Sequence, residues 1–274
     1  VVFAALLTMV GFSSCLNSED DGITEIPDYA EVNMSSFGSV SFNSMYGWVC
    51  VPDKSLTTAP ESDLAYIAYR YEDADLQSIM SGTSTSKNLP VTLLQDPVYL
   101  KRLDCLSAAL PEETKTVSIY PLGERDALVW GNNKYLILMP TILLKKGTTS
   151  ENLSTELLNH RLTLYYLSAE GDEDANTLKL YLRYEISGIG ESSTEETDDK
   201  ESWASDYNVR YTNVSYVNLQ PIISMYKSTH SGSDPEKVTV EYEYNNSASS
   251  IPTIAKKQTK TVTYNLYTET SSNN

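Results

Sequence analysis

Residues 178–186 read LKLYLRYEI and alternate between two kinds of side chain along the whole segment. Successive side chains of a strand point to opposite faces of a sheet. One face therefore carries the apolar residues Leu178, Leu180, Leu182, Tyr184 and Ile186. The other face carries Lys179, Tyr181, Arg183 and Glu185. A strand with one dry and one wet face is typical of an antiparallel sheet.

The same alternation recurs in residues 162–166, 238–244 and 262–266. Two half-apolar sheets bury their dry faces against each other, so the pattern predicts an antiparallel β-sandwich over residues 121–270. Residues 32–120 read instead as short strands broken by turns, which favours a small closed barrel without bare edges. The sequence thus predicts an all-β chain of two domains.

Several segments of the second half carry a family resemblance. They are WGNNKYLIL at 130–138, HRL at 160–162, LKLYLRY at 178–184, YVNL at 216–219 and VTVEY at 238–242. Their order resembles that of NigD-like lipoproteins, and the resemblance spans most of residues 30–270. It implies an N-terminal OB-like barrel followed by a β-sandwich. It implies little about function, because these envelope lipoproteins have no established activity.

The N-terminus predicts export and lipid attachment. Residues 1–10 are apolar except for Thr8 and are followed by GFSSC at 11–15, which favours a signal peptide over residues 1–14. The Phe-Ser-Ser-Cys segment resembles a bacterial lipoprotein box, with Cys15 as the acylated residue and the membrane as partner through the lipid. A simple secretory signal followed by a chance Cys is the alternative.

An acidic stretch follows the candidate lipid site. Residues 16–21 read LNSEDD and resemble the export signal of Bacteroidetes surface lipoproteins, which predicts an outer-membrane lipoprotein at the cell surface. We expect residues 15–31 to form a flexible acidic tether. A second acidic run predicts a flexible insertion over residues 188–202.

The charge balance narrows the class of partner. The chain has 37 acidic and 20 basic residues, a formal net charge of −17. Nucleic-acid binding depends on Lys and Arg neutralising phosphates, so a nucleic acid is excluded as the partner. Apart from Cys15, the cysteines are Cys50 and Cys105. Outside the cytoplasm they could form a disulfide, or each could serve as a small buried hydrophobe.

Signatures of catalysis and metal binding are absent from the sequence. It contains no G-x-S-x-G elbow, no C-x-x-C pair, no H-E-x-x-H motif and only two histidines, His160 and His230. Residues 172–176 begin like a calcium loop, but Thr177 and Arg183 stand where an EF-hand needs Gly and Glu. We expect no catalytic residues, no metal, no cofactor and no enzymatic activity. A pair of loop carboxylates that hydrolyses glycosides is the exception that a sequence cannot reveal, because such a pair needs a fixed separation in space and has no fixed spacing along the chain.

Aromatic residues give the remaining candidate site. Four are expected at the surface, where they could stack on sugar rings: Trp203, Tyr165, Tyr181 and Tyr267. We therefore expect a non-enzymatic binding or interaction module that contacts a glycan or an envelope protein. The alternative is a glycan-binding accessory lipoprotein of a polysaccharide-uptake system. A fimbrial subunit is less favoured, because the first arginine, Arg70, lies inside a predicted strand rather than in an early cleavable linker.

Overall fold

The computed structural model describes residues 22–56, 59–167, 176–189, 202–245 and 252–267. The chain divides into two compact units, which meet in sequence between Arg102 and Leu103. Strands are the main elements of both units, so the predicted all-β class is confirmed. The predicted signal peptide and Cys15 lie outside the described residues.

The first unit is a closed barrel. Its elements are β1 (Ile23–Met34), β2 (Val40–Asn43), β3 (Val49–Pro52), β4 (Leu64–Glu72), α1 (Asp73–Met80), β5 (Asn88–Leu93), β6 (Val98–Tyr99) and β7 (Lys101–Arg102). Five strands close in the order β1-β2-β3-β5-β4-β1, with β3 and β5 parallel and the other pairs antiparallel. This is the arrangement of an OB-type barrel, which confirms the predicted barrel.

Closure of the barrel depends on β1. Its residues from Ile23 to Glu31 pair with β4, and those from Glu31 to Met34 pair with β2. Glu31 lies opposite a residue of each neighbouring strand, so one long strand serves both sides of the barrel. The enclosed core contains Ala30, Phe42, Cys50, Ala65, Ile67, Tyr69, Tyr71, Leu89 and Val91, and Leu76 and Ile79 of α1 pack against it.

The position of β1 corrects the predicted tether over residues 15–31. From Ile23 onward that segment is strand, and Asp28 and Ala30 are buried. Ile26, Asp28 and Ala30 lie on one face of this strand with period two, but the acidic residue among them breaks the apolar pattern in the sequence. Aspartate is seldom buried, so a segment rich in acidic residues is predicted from its composition to be a solvent-exposed loop.

The second unit contains ten strands, two α-helices and three 3₁₀ helices among its described residues. The strands are β8 (Asp104–Leu106), β9 (Ala127–Trp130), β10 (Tyr135–Leu138), β11 (Thr141–Lys145), β12 (His160–Tyr165), β13 (Thr177–Ile186), β14 (Tyr207–Thr212), β15 (Ser215–Asn218), β16 (Lys237–Tyr244) and β17 (Gln258–Asn265). The α-helices are α2 (Leu153–Leu157) and α3 (Gln220–Thr229), and the 3₁₀ helices are Glu113–Lys115, Glu124–Asp126 and Ser202–Asp206.

One apolar core is shared by the sheets of the second unit. The largest sheet has the order β17-β16-β13-β12-β8, while β10 pairs with β9 and β15, and β11 pairs with β14. Leu180, Ile142 and Leu136 represent these three sheets in a single buried cluster. The prediction of a wholly antiparallel sandwich is wrong at two pairings, because β12–β8 and β13–β16 are parallel. Side-chain alternation is the same in both strand orientations and cannot distinguish them.

The boundary between the units also differs from the predicted one at residues 120 and 121. Residues 103–120 belong to the second unit, in which Cys105 of β8 pairs opposite Leu164 and in which Val117 and Ile119 are buried in the core. A strand as short as β8 has too few residues for its sequence pattern to show which unit it joins. Of the predicted acidic insertion at 188–202, residues 190–201 lie outside the described residues.

A charged network covers the outer face of β13 and β16. Arg183 is 6% exposed, and its Nη2 lies 2.9 Å from Oε1 of Glu241. Nζ of Lys257 lies 3.1 Å from Oε1 of Glu243 and donates to the carbonyl oxygen of Thr116 at 3.0 Å. Burial lowers the pKa of Lys257, while Glu243 opposes that shift. The face predicted to be wet is thus largely covered by its own long side chains.

This network predicts unequal effects for two neighbouring cations. Arg183 is the buried cation beside Glu241 and Glu243. Replacing Arg183→Met leaves each carboxylate with one lysine partner, so we expect a loss of about 3 kcal/mol in the free energy of unfolding. The control Lys179→Met removes a cation that is 40% exposed and 3.5 Å from Glu241, and should cost less than about 1 kcal/mol. Urea unfolding followed by Trp130 and Trp203 fluorescence measures both, and equal losses would contradict a buried network.

Candidate functional site

The turn between β2 and β3 presents an aromatic pair at the surface of the barrel. Ser44 donates its N–H to the carbonyl oxygen of Trp48 at 2.9 Å, and Gly47 donates to that of Ser44 at 3.2 Å. Gly47 has φ of 98°, a left-handed conformation that glycine adopts without strain. The tight turn therefore places Tyr46 and Trp48 beside each other.

Tyr46 and Trp48 form what we call the aromatic platform. Their ring centroids lie 5.2 Å apart with an interplanar angle of 20°, and Tyr46 is 57% exposed. The indole Nε1 of Trp48 donates to the hydroxyl of Tyr69 at 3.1 Å, which fixes the Trp48 ring against the barrel. The Tyr71 ring lies 6.5 Å from that of Trp48. The platform is thus an exposed aromatic side chain on a rigid aromatic support.

Polar groups stand next to this aromatic cluster. The side chains of Tyr71 and Thr24 are hydrogen-bonded, and Thr24 donates its hydroxyl to Oδ1 of Asp73 at 2.6 Å. Asp73 begins α1 directly after β4. Carboxylate and hydroxyl groups can hydrogen-bond to the hydroxyls of a sugar, and an aromatic ring beside them can pack against its apolar face.

Asp28 holds the turn from inside the barrel. It is 4% exposed, and its Oδ2 accepts a hydrogen bond from the Ser44 hydroxyl at 2.5 Å. The Ser44 hydroxyl also accepts the N–H of Tyr46 at 3.1 Å, so this contact reaches the platform directly. Burial raises the pKa of Asp28 to about 6, against the opposing hydrogen bonds from Ser44 and from the backbone of Met45 and Tyr29.

The four aromatic residues predicted from the sequence do not form a common surface. Tyr165 and Tyr181 are buried, at 7% and 4% exposure, which corrects their predicted outward position. They lie opposite each other on β12 and β13, and Lys179 and Arg183 cover the Tyr181 ring. Trp203 is half-buried and packs edge-on against Tyr207 at 5.9 Å.

Tyr267 is the predicted aromatic residue that stays exposed, at 40%. Its hydroxyl accepts a hydrogen bond from the Asn133 amide at 2.6 Å, and Asn133 Oδ1 accepts from Gln220 at 2.9 Å. Tyr267 thus belongs to a polar contact between three chain segments. No aromatic ring contact of Tyr267 is found in the described part of the chain, so it forms no platform there.

The disulfide that the sequence left possible between Cys50 and Cys105 is not formed. Cys50 and Cys105 are free thiols in different units, with Cys50 buried in the barrel and Cys105 half-buried in β8. Burial raises the pKa of each thiol to about 12, so both stay protonated at neutral pH. Both therefore act as small core hydrophobes, the second of the two alternatives that the sequence left open.

His160 belongs to a buried polar cluster. Its Nε2 lies 3.0 Å from Oε1 of Glu156, and its Nδ1 lies 2.5 Å from the hydroxyl of Tyr184. Burial lowers the pKa of His160, although Glu156 opposes the shift. A neutral ring that donates through Nε2 and accepts the Tyr184 hydroxyl proton at Nδ1 satisfies both contacts. The His160 side chain is only 1% exposed, so its ring is closed to a ligand.

The described ranges contain neither a cluster of metal-binding side chains nor a membrane-spanning helix. No group of three or more His, Cys, Asp or Glu side chains in these ranges is placed to bind a metal ion. No helix there is both long and apolar enough to span a bilayer. The acidic part of the calcium-like segment, residues 172–175, lies outside the described residues.

Comparisons with known proteins establish the fold. No family model and no curated protein matches the chain. Among solved structures, a "Putative lipoprotein" from Bacteroides fragilis matches at TM-score 0.67 and 18% identity, over 90% of this chain and 100% of that one. A protein of unknown function from Bacteroides vulgatus matches at TM-score 0.51 and 11% identity, over 90% and 93% of the two chains.

A NigD-like immunity protein from Bacteroides caccae also matches, at TM-score 0.42 and 13% identity, over 80% of this chain and 85% of that one. The likeness that bears on the fold is the one to the Bacteroides fragilis protein, at TM-score 0.67. At 18% identity, the Bacteroides fragilis likeness establishes a shared fold. That fold is the strand-rich barrel and sandwich implied by the resemblance.

The buried Asp28 predicts a pH-dependent stability of the barrel. The ordinary pKa of 3.8 applies to the unfolded chain, while the folded value is about 6. The folded state therefore holds the proton more tightly, and its stability falls as pH rises from about 4 to about 6. We expect Asp28→Asn, which keeps an acceptor for Ser44, to be more stable than wild type by about 2 kcal/mol at pH 7.5 and equally stable at pH 4.

Hydrogen exchange of the barrel amides measures this difference. The control Asp96→Asn neutralises an exposed carboxylate and should change stability by less than about 0.5 kcal/mol at either pH. An Asp28→Asn effect of the same size at pH 4 and pH 7.5 would show that proton binding is not its cause.

Proposed function

We propose that this chain is a lipid-anchored binding protein of the bacterial cell envelope and that its barrel binds a carbohydrate at the aromatic platform. The observation that carries the proposal is the exposed Tyr46 ring stacked on the immobilised Trp48 ring. An exposed aromatic side chain held in one orientation loses little conformational entropy when a ligand stacks on it. Sugar rings present flat apolar C–H faces that fit such a surface.

The surroundings of the platform favour a sugar over other flat ligands. Asp73 and Thr24 supply a carboxylate and a hydroxyl close to Tyr71, and both groups can bind the hydroxyls of a sugar. Aromatic residues also stack on nucleic-acid bases, but that mode of binding needs a positively charged groove for the phosphates. The net charge of −17 opposes it.

We further propose that the protein has no catalytic role. The histidine and carboxylate that lie within hydrogen-bond distance of each other are His160 and Glu156, and they are enclosed with Tyr184. A general base must reach the proton that it removes from a substrate. The thiols of Cys50, which is buried, and Cys105, which is half-buried, are protonated at neutral pH, so they are poor nucleophiles.

Lipid attachment at Cys15 rests on the sequence. The apolar segment at 1–10 and the lipobox-like residues 12–15 support cleavage before Cys15 and acylation of its thiol. The fold shared with the Bacteroides fragilis protein fits an envelope location, because that protein is described as a lipoprotein. Six residues separate Cys15 from the first described residue, Gly22, so the barrel would stay close to the lipid. The acidic residues 16–21 support export to the cell surface.

Tyr46→Ala tests the carbohydrate site. We expect at least a tenfold loss of affinity for the oligosaccharide that a glycan array identifies, because the exposed stacking ring is removed. Tyr267→Ala is the matched control, since Tyr267 is also an exposed tyrosine but lies in the other unit. Isothermal titration of both variants, with thermal unfolding as a check of folding, gives the comparison.

Two outcomes would count against the carbohydrate site. Equal binding by wild type and Tyr46→Ala would remove the platform from recognition. A glycan array without saturable binding would instead favour the envelope-protein alternative. The β1–β2 turn would then be the surface to examine, because Phe37 is 96% and Met34 is 65% exposed there.

Cys15→Ala tests the anchor independently. In cells grown with radiolabelled palmitate, the wild-type protein should carry the label and fractionate with the membrane, whereas Cys15→Ala should lose both properties because no other residue fits the lipobox. Cys50→Ala is the matched control and should keep its label. Label retained by Cys15→Ala would refute lipid attachment at this residue. Protease treatment of intact cells then reports whether the wild-type protein is exposed on the cell surface.

A further inference from the structure

A cleft in the second unit is bordered by two strand edges. It has a volume of about 430 Å³ and lies between β9 and β17, and we call it the edge cleft. It is lined by Glu124, Ala127, Leu128, Val129, Asn132, Thr263, Tyr264, Asn265 and Leu266. Its size falls within the range of about 300–1,000 Å³ that is usual for ligand sites.

The hydrogen-bond register shows which groups of β9 face this cleft. The carbonyl oxygen of Asp126 accepts from the N–H of Met139, and Leu128 lies two residues further along, opposite Ile137. In an antiparallel pair, hydrogen-bonded and non-hydrogen-bonded positions alternate. Ala127 and Val129 are therefore the non-bonded positions, and their N–H and C=O groups point away from β10 toward the cleft.

The same argument applies to β17. Leu266 donates its N–H to the carbonyl oxygen of Glu236, which makes Leu266 a bonded position relative to the β16 side. By alternation, Thr263 and Asn265 direct their backbone groups away from β16. Within the described ranges, no strand pairing joins β9 to β17. The cleft is thus lined by backbone donors and acceptors on both sides.

The exposed edge of β17 has little protection against another strand. Its eight residues read QTKTVTYN, and all except Val262 and Tyr264 are exposed. Edge strands are usually protected by several charges, prolines or bulges, whereas Lys260 is the single charged residue here. Thr, Val and Tyr also have high strand propensity. The edge is therefore suited to pairing with an added strand.

We propose that the edge cleft binds an extended peptide segment of a partner protein, which adds to β17 as a further strand. Unpaired N–H and C=O groups recur at every second residue, a spacing of about 6.8 Å that another extended backbone matches. Among the described residues that line the cleft, Glu124 is the one that carries a charge, so the segment carries a basic residue near it. The site is separate from the aromatic platform and does not depend on the proposed carbohydrate binding.

Charge also favours a partner over a second copy of this chain. Each copy carries −17, so two copies repel each other, whereas a basic segment is attracted. The C-terminal residues 268–274 read TETSSNN and contain no basic residue to meet Glu124.

Selection from a phage-displayed library of random hexapeptides, against the full chain, tests the proposal. The best peptide is then made in two forms, one unmodified and one N-methylated at alternate residues so that one edge loses its donors. We expect enriched peptides to contain Lys or Arg, and the N-methylated form to bind at least tenfold more weakly. On binding, the amides of Thr263 and Asn265 should gain protection from hydrogen exchange.

A pair of variants assigns the binding to β17. Thr263→Pro removes an N–H that faces the cleft and should weaken binding at least tenfold, whereas Thr263→Val keeps this N–H and should bind like wild type. No enrichment above an unselected library, or equal binding of the methylated and unmethylated peptides, would overturn the proposal. Amide protection that exists without peptide and is lost when residues 268–274 are removed would also overturn it, because the C-terminal residues would then occupy the cleft. Amide protection that rises with protein concentration would overturn it as well, because a second copy would then be the occupant.

Discussion

The double pairing of β1 is the constraint on which the barrel depends. Glu31 lies opposite both Leu64 and Asn43, so one strand contributes to both sides of the closure. Closure removes the free edges of a sheet, and the interior is then filled by side chains rather than by backbone contacts. Asp28 lies on the inner face of this same strand and holds the Ser44 turn from within. The position of Tyr46 and Trp48 therefore follows from how β1 closes the barrel.

The buried carboxylate of Asp28 fixes the turn at Ser44, but its burial lowers the stability of the barrel. An apolar residue would avoid the desolvation that raises the pKa of Asp28, but it could not accept the Ser44 hydroxyl. The second unit shows a related compromise, because Arg183 and Glu243 are buried where apolar side chains could pack. In both units, buried polar groups fix one arrangement of neighbouring strands, and removing one partner costs more than the pair contributes.

The sequence predicted the features that period-two alternation controls. The strands around Leu180, Val240 and Tyr264 and the all-β class follow from that pattern, and the family resemblance gave the OB-like barrel. Alternation carries no information about strand direction or about which unit a short strand joins, so the parallel β12–β8 pair and residues 103–120 were missed. Tyr181 was expected at the surface, because alternation cannot show that Lys179 and Arg183 cover its ring. The one available signal for the platform was the SMYGW turn at residues 44–48, in which glycine separates two aromatic residues.

The two units differ in what they can offer a ligand, and the difference follows from strand closure. The five strands that close the barrel pair with one another. A ligand of the barrel would therefore contact side chains, such as Tyr46 and the Trp48 ring behind it, rather than unpaired backbone groups. Among the described residues of the second unit, β9 and β17 each pair on one side only, so backbone groups remain available along the edge cleft. Side-chain stacking suits a ligand with apolar faces, whereas an unpaired edge suits another polypeptide. The two proposed binding surfaces are thus chemically distinct, and each depends on how the strands of its unit end.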